Sequence, residues 1–234
     1  MGTLINVAMI IVGGILGLLF GKLIKESMQE TLTMASGVAV LFIGIGGALE
    51  GMLSVEDGVI SSGRGVFIVV VLLLGAIIGE LINIEGLLEK FGIWLRRVTG
   101  NAKDQNFVNA FLTATFTVCI GAMAIVGAIE DGISGDYSIL LTKGILDLII
   151  ILVMSASLGK GALFSFIPVA ILQGTVTLLS KFIKPVLTDT SLGNLSMIGS
   201  ILIFCVGINL IWGKKIKVAN LLPAVIIAVV AAFI

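Results

Sequence analysis

Long apolar runs dominate this sequence and leave few folds open to it. Of its 234 residues, 58% are hydrophobic and only 12% are charged, whereas soluble chains carry about 25% charged residues. A helix of about 20 apolar residues spans the roughly 30 Å hydrocarbon core of a bilayer. We therefore expect an all-α integral membrane protein that forms a single polytopic domain over residues 1–234.

The apolar runs predict about eight transmembrane helices. Their ranges are 4–21, 33–53, 65–83, 107–129, 138–158, 161–180, 195–213 and 219–234. The longest connection contains IEGLLEKFGIWLRR (84–97), whose apolar residues form one stripe and whose charged residues lie largely off it. This pattern predicts an amphipathic helix in the membrane interface, anchored there by Trp94.

The distribution of lysine and arginine predicts the orientation, because these residues favour the cytoplasmic side. With the N-terminus outside, most of the 14 fall in inner connections, namely Lys22, Lys25, Lys90, Arg96, Arg97, Lys103, Lys160, Lys214, Lys215 and Lys217. The others are Arg64, Lys143, Lys181 and Lys184, and the outer connections are instead acidic, with Glu50, Glu56, Asp57, Glu130, Asp131 and Asp136. We therefore expect both termini outside.

A faint internal repeat relates the two ends of the chain. The segment GTLINV…GLLFGKLIKESMQET matches GALFSF…TVTLLSKFIKPVLTDT at an offset of 159 residues, with the pairs Gly2/Gly161, Lys22/Lys181 and Lys25/Lys184. The following spans continue the match at an offset of 162 residues, as in Gly37/Gly199. The repeat halves would be 1–83 and 161–234, with 84–160 between them. An odd number of spans separates the copies, so they would be inverted, as in many secondary transporters. Chance matching between two glycine-rich apolar stretches is the alternative.

Lys143 and Asp147 are the strongest candidates for a functional site. They lie four residues apart inside an apolar run and therefore share one helix face. A charge in lipid costs at least about 2.5–3.5 kcal/mol on insertion scales, so the pair should face protein or water. Either the two charges neutralise each other and hold helices together as a structural staple, or they form part of an ion or substrate pathway.

Weaker candidates lie at the ends of spans or inside them. The segment CIGAMAIVGAIEDGISGDYS (119–138) has glycines at 121, 127, 132 and 135 and the acids Glu130, Asp131 and Asp136. A helix that loosens there would offer carbonyl groups beside carboxylates, and a solvated outer loop is the alternative. Glu80 lies near the inner end of its span. Asn6, Gln173 and Asn209 lie inside apolar runs, where a structural role is expected. The other glycines are expected to allow close helix packing.

Several classes of function are not expected. Histidine is absent and the net charge is zero, so no usual proton shuttle and no basic face for nucleic acid are available. No pairing of a nucleophile with a base, no phosphate-binding loop and no metal-binding cluster is recognisable, so we expect neither an enzyme nor a cofactor. Whether the protein binds a metal ion is unknown from the sequence. The expected partners are the bilayer, a small solute or cation, and a second copy, with a dimer plausible.

Four stretches resemble a known family: GAIIGE (75–80), GAIEDGISGDYSILLTKGILD (127–147), SASLG (155–159) and NLLPAVIIA (220–228). The chain resembles, over nearly its whole length, the bacterial YqgA/YdfK-like membrane proteins, domain of unknown function 554. The resemblance implies a multi-pass protein of the bacterial inner membrane, sometimes labelled a transporter, and supplies no substrate or site residues. That family often has proline where this chain has Ala122, which argues against a strongly broken helix there.

Three hypotheses follow. The first is a secondary transporter or ion-coupled carrier for a small solute or cation, in which Asp147 acts on the cation and Glu80, Glu130, Asp131 and Asp136 are lesser candidates. The second is an oligomeric cation channel with acidic residues at its outer mouth. The third is a scaffold that transports nothing, in which the charges are staples.

Overall fold

The computed structural model describes residues 1–56, 58–119, 122–186 and 188–233. Its helices are α1 (Gly2–Gly21), α2 (Glu26–Met52), α3 (Gly65–Ile82), α4 (Ile84–Val98), α5 (Phe107–Cys119), α6 (Ala122–Ile133), α7 (Ser138–Leu158), α8 (Lys160–Leu163), α9 (Phe166–Leu178), α10 (Ser180–Ile183), α11 (Asp189–Trp212), α12 (Val218–Leu221) and α13 (Pro223–Val230). Two 3₁₀ turns, Lys184–Val186 and Ala231–Phe233, and two strands, β1 (Leu53–Glu56) and β2 (Val59–Ser62), complete the described elements. The chain is an all-α membrane protein, as predicted.

Six helical stretches of the described chain are long and apolar enough to cross a membrane. A seventh crossing requires α5 and α6 together, whose axes differ by 61°. The last predicted span, 219–234, forms an apolar helical stretch over Val218–Phe233 that is shorter than these six. Between α2 and α3 the chain forms a small exposed hairpin that the sequence reading missed, in which Leu53 pairs with Ser62 and Glu56 with Val59.

Two long helix pairs form the centre of the bundle, and glycine allows both to pack closely. Helices α1 and α7 run parallel, and a Cβ atom added at Gly17 would lie 2.2 Å from the carbonyl oxygen of Leu152. Helices α2 and α11 run antiparallel, and a Cβ atom at Gly44 would lie 2.5 Å from the backbone nitrogen of Phe204. The predicted packing role of these glycines is confirmed, since any side chain would separate the backbones.

The remaining helices also pack in parallel and antiparallel pairs. Helix α9 lies antiparallel to α1, with the hydroxyl groups of Thr3 and Thr177 3.2 Å apart. Helix α3 lies antiparallel to α12 and α13, while α5 and α6 run parallel to α8 and α9. Large buried side chains fill the space between the helices, including Ile10, Phe107, Phe111, Ile151, Met154, Met197 and Leu202.

The amphipathic segment forms α4, as the sequence predicted. One edge of its apolar stripe packs on α5, where Leu95 is buried and the rings of Phe91 and Phe111 lie 5.9 Å apart. The other edge faces outward, and Trp94 and Val98 are 55% and 65% exposed. One edge of the stripe therefore packs against protein, and the other edge faces the predicted membrane interface.

Candidate functional site

Lys143 and Asp147 form a buried ion pair on α7. The Lys143 Nζ and Asp147 Oδ2 atoms lie 2.5 Å apart, and the two residues are 7% and 3% exposed. Asp147 is nine residues from the start of α7, about 14 Å along a helix that is about 31 Å long. The pair therefore lies close to mid-depth of the bundle and faces protein, as the sequence predicted.

Two amide side chains from other helices lie beside this pair. The Asn6 Nδ2 group on α1 donates to Gln173 Oε1 on α9 at 3.3 Å, and both side chains are almost completely buried. Asn6 also lies against Gly144 and interacts with the Asp147 carboxylate. Since Asn6 Oδ1 and Gln173 Nε2 have no hydrogen-bond partner among the described residues, the amides retain capacity for a further polar contact.

The C-terminal end of α5 contributes a backbone carbonyl group to the same site. Lys143 Nζ donates a 2.8 Å hydrogen bond to the carbonyl oxygen of Val118, at the C-terminal end of α5. Gly121, one of the glycines of the predicted loosened helix, lies outside the described residues. The argument from Ala122 against a strong break was wrong, because the axes of α5 and α6 differ by 61°. Asn6, Val118, Lys143, Asp147 and Gln173 are called the central polar cluster below.

The acidic segment that follows does not form the predicted loosened helix or a wholly solvated loop. Helix α6 continues to Ile133 and includes Glu130 and Asp131. Asp131 is only 8% exposed, and its Oδ2 atom accepts a 2.9 Å hydrogen bond from the backbone N–H of Gly2 at the start of α1. It is therefore a capping residue that joins α6 to α1.

Glu130 and Asp136 lie apart from the central polar cluster as well. The hydroxyl of Ser134, the residue that follows α6, donates to the Glu130 carboxylate at 3.4 Å. Asp136 is exposed, and its carboxylate accepts hydrogen bonds from the backbone N–H and the hydroxyl of Ser138, which hold its pKa below the ordinary value. It marks the start of α7, so it fits the solvated alternative.

A second polar network lies at the opposite end of the bundle, the predicted inner end. Glu80 Oε1 pairs with Lys217 Nζ at 2.6 Å, and its Oε2 accepts a 2.6 Å hydrogen bond from Asn220 Nδ2. Asn220 Oδ1 in turn accepts from the backbone N–H of Glu85 at 2.7 Å. The Asn220 side chain therefore caps the first turn of α4. Asn209 locks the following turn, accepting from the backbone N–H groups of Lys215 and Ile216.

Glu85 is a central member of this inner network and was missed by the sequence reading. It is 7% exposed, its Oε1 atom lies 2.9 Å from Lys214 Nζ, and its Oε2 atom accepts from the backbone N–H of Ala219 at 3.1 Å. Lys214 also pairs with Glu89. An acid in the first turn of an amphipathic helix ordinarily reads as a favourable surface charge, so the sequence carried no signal of its burial.

Two cavities share Phe116 in their linings. The first, about 230 Å³, opens beside Lys214 and is lined by Glu85, Glu89, Asn109 and Thr113. The second, about 340 Å³, is mostly apolar and contains Thr115, Cys119 and Pro168 beside the interruption between α5 and α6. Phe116 lines both. Phe116 is thus shared by a vestibule at the predicted inner end and by a mostly apolar cavity beside the end of α5.

The groups of the central polar cluster are suited to binding an ion rather than to making or breaking a covalent bond. It has a carboxylate, an ammonium, two amides and a backbone carbonyl, and no nucleophile paired with a base. Among the residues that the structure describes, no group of three or more histidine, cysteine, aspartate or glutamate side chains could hold a metal ion. Glu80 and Asn209 belong to the inner network, and Glu130, Asp131 and Asp136 lie at the opposite, predicted outer end. Of the predicted site residues, Asn6, Lys143, Asp147 and Gln173 therefore come together.

Comparison with known proteins agrees with this placement in the membrane. The chain is 29% identical over 233 residues to the uncharacterized membrane protein YdfK of Bacillus subtilis, covering 100% of this chain and 96% of that protein. It is 28% identical over 231 residues to the uncharacterized protein YqgA of Escherichia coli, covering 97% and 94%. No solved structure matches it at a significant level. Residues 1–233 match the family described as "Protein of unknown function (DUF554)", and the chain belongs to that family.

Proposed function

We propose that this membrane protein is a secondary transporter, an ion-coupled carrier for a small solute or cation. The observation that carries the proposal is the buried pair of Lys143 and Asp147 beside the end of α5, where the lysine also binds the Val118 carbonyl. Interrupted helices whose carbonyl groups meet charged side chains near the midplane are typical of transporter sites. Both charges come from one chain, so a site needs no second subunit.

The pair is hard to explain by stability alone. Replacing a buried ion pair with apolar side chains of similar volume is often neutral or stabilising, because desolvation offsets much of the attraction. Intramembrane ionisable residues are therefore functional candidates by default. The presence of Lys143 and Asp147 near mid-depth supports a role in which one of them changes its partner.

The contacts of Lys143 suggest how such an exchange could proceed. Its ammonium group already has two partners, the Asp147 carboxylate at 2.5 Å and the Val118 carbonyl at 2.8 Å. If the lysine turned wholly to the carbonyl, Asp147 would be open to a passing cation or proton, with Asn6 beside it. The Asp147 carboxylate would then neutralise the entering cation or proton, while the Val118 carbonyl would stabilise the one positive charge that Lys143 leaves in the occupied site.

The packing of the bundle supports an inverted repeat. Each predicted mate lies antiparallel to its counterpart: α1 to α9, α2 to α11, and α3 to α13. The halves differ in one respect, since α13 packs along α11 whereas α3 makes little contact with α2. Repeats of this kind rock against one another around a site at their interface, and Asn6 and Gln173 meet at such an interface.

The vestibule beside Lys214 supports access from the inner end. It reaches Phe116, two residues before Val118 in α5, so a shift of α5 would connect it with the central polar cluster. The same shift would move the Val118 carbonyl relative to Lys143. Opening the path and releasing the lysine would then be one movement, as alternating access requires.

The test is electrogenic flux in proteoliposomes under imposed proton, sodium and potassium gradients, comparing the unmodified protein with Asp147→Asn. Glu50→Gln is the control, because Glu50 is an exposed carboxylate on α2, away from the cluster. We expect saturable flux that Asp147→Asn abolishes and Glu50→Gln leaves unchanged. Normal flux in Asp147→Asn contradicts the assignment. Non-saturating flux at channel rates favours the channel, and absence of flux with loss of folding favours the scaffold.

A further inference from the structure

A third cavity lies where the predicted inner ends of α1 and α7 meet. Its volume is about 410 Å³, and it is bounded by the ends of these helices, by the first turn of α2 and by the turn that leads into α5. The SASLG segment (155–159), one of the stretches that carries the family resemblance, supplies five of its lining residues. The central polar cluster and the inner network contribute none of the residues that line it.

The cavity has an excess of positive charge. Lys22 and Lys160 line it, both side chains are exposed, and neither forms an ion pair within the described part of the chain. Asp104 is the acidic residue of the lining, and its Oδ1 atom accepts from the backbone N–H of Asn106. The side chains therefore sum to about one positive charge.

Helix dipoles do not cancel this charge. The C-terminal ends of α1 and α7 contribute negative ends, and the N-terminal ends of α2 and α5 contribute positive ones, each equivalent to about half a charge. These four contributions nearly offset one another. In addition, the carbonyl of Gly21, at the end of α1, already accepts a 2.8 Å hydrogen bond from Gln29 Nε2. The lysines thus decide the sign of the field.

Ser155 provides the second observation. It lines the cavity, it is only 1% exposed, and its hydroxyl has no hydrogen-bond partner among the described residues. Serines in helices usually donate to the carbonyl four residues earlier, as Ser157 does to Val153 at 2.9 Å. A buried polar group without a partner requires an explanation, and a bound oxyanion would supply one.

We propose that this cavity binds a phosphate group, with Lys22 and Lys160 as its cationic contacts and Ser155 and Gln29 as neutral donors. Basic pockets between transmembrane helices at the cytoplasmic side bind anionic lipid headgroups, and a free phosphate ester would offer the same oxygen atoms. The proposal does not depend on transport, since it concerns other residues at another depth.

The experiment measures thermal unfolding of the purified full chain in detergent. Separate titrations use phosphatidylglycerol, zwitterionic phosphatidylcholine and inorganic phosphate. We expect phosphatidylglycerol to raise the unfolding temperature saturably and phosphatidylcholine to have little effect. Inorganic phosphate that acts alone or competes with the lipid identifies a free phosphate as a ligand, whereas a response to lipid alone identifies the headgroup.

The matched variants separate a built site from diffuse attraction. Lys22→Gln with Lys160→Gln removes the two lining lysines, and Lys25→Gln with Lys103→Gln removes two exposed lysines at the same end that do not line the cavity. We expect the first pair to weaken apparent affinity about 30-fold, at roughly 1 kcal/mol per lysine, and the second to change it by less than about threefold.

Ser155→Ala keeps the net charge and tests the same site by another route. Loss of one hydrogen bond to a charged group should weaken affinity about tenfold. Equal losses in the two lysine pairs, no loss in Ser155→Ala, or no response to either phosphate probe would each overturn the proposal.

Discussion

A Cβ atom placed on Gly79 would lie 1.9 Å from the backbone carbonyl oxygen of Asn220. The obstacle is main chain, which cannot rotate away as a side chain could. Helix α3 therefore packs on α12 at the distance that only a glycine permits. This contact also brings Glu80 next to Asn220 and so aligns the inner polar network.

Gly79→Ala should consequently destabilise the protein by about 1–3 kcal/mol, the usual range for overpacking. Gly46→Ala is the control, because Gly46 is also in a helix but has nothing within 4 Å of the added atom. It should stabilise by about 0.5–1 kcal/mol, since glycine is a poor helix former. Unfolding midpoints in detergent compare the two, and equal midpoints would show that α3 and α12 are not packed in this way.

The sequence predicted those features that depend on local spacing. Lys143 and Asp147 are four residues apart, so helix geometry alone places them on one face. The amphipathic period of 84–97 likewise predicted α4. Apolar run length predicted most of the spans, and it failed for the hairpin after α2, where short exposed strands leave no apolar signal.

Contacts between distant residues could not be predicted in this way. Asn6 and Gln173 were recognised as unusual, but their contact spans 167 residues and depends on how α1 crosses α9. Asp131 looked like an outer-loop acid because its burial comes from the start of α1, 129 residues away. Glu85 gave no signal, since its partners come from α12 and from the segment before it.

Removing one charge of the central pair should be more harmful than removing both. Asp147→Asn leaves the Lys143 ammonium buried with the Val118 carbonyl as its partner, at an expected cost of about 3–5 kcal/mol. Lys143→Met combined with Asp147→Leu should recover most of that stability, because no uncompensated charge remains. Denaturant unfolding in detergent measures both variants.

The double variant also separates a pathway from a staple. A transporter should lose flux in the stable double variant, because the groups that exchange partners are gone. A scaffold should keep its oligomeric state and its folding. A double variant that is as unstable as Asp147→Asn would contradict the account of the pair as replaceable by apolar side chains.

Lys214 should matter more than its neighbour Lys215. Burial lowers the pKa of Lys214, but its hydrogen bonds to the carboxylates of Glu89 and Glu85 raise it by more, and the net pKa lies above the ordinary value of 10.5. Lys215 has no such partners among the described side chains. Because Lys214 is partly exposed, Lys214→Gln should cost only about 1 kcal/mol, and Lys215→Gln close to none.

The raised pKa of Lys214 gives this contact a defined pH dependence. A group whose pKa is higher in the folded state contributes its full stabilisation below its ordinary pKa and loses it as the pH rises through the folded value. The stability difference between the unmodified protein and Lys214→Gln should therefore be constant at pH values well below the ordinary pKa of 10.5 and shrink as the pH rises above it. Unfolding at these pH values measures it, and a difference that grows with pH would contradict the ion pair.

The inverted repeat and the orientation can be tested together with one matched pair of residues. Lys25 and Lys184 are mates in the predicted repeat, and both side chains are exposed. We expect them on opposite sides of the membrane, with Lys184 outside.

Each is changed to cysteine after Cys119 and Cys205 are replaced by alanine, and intact cells are treated with a maleimide that cannot cross the membrane. Lys184→Cys should react at once, and Lys25→Cys only after permeabilisation. The opposite pattern would keep the inversion and reverse the orientation, whereas reaction of both from one side would exclude the inverted repeat, because an odd number of spans must place the mates on different sides.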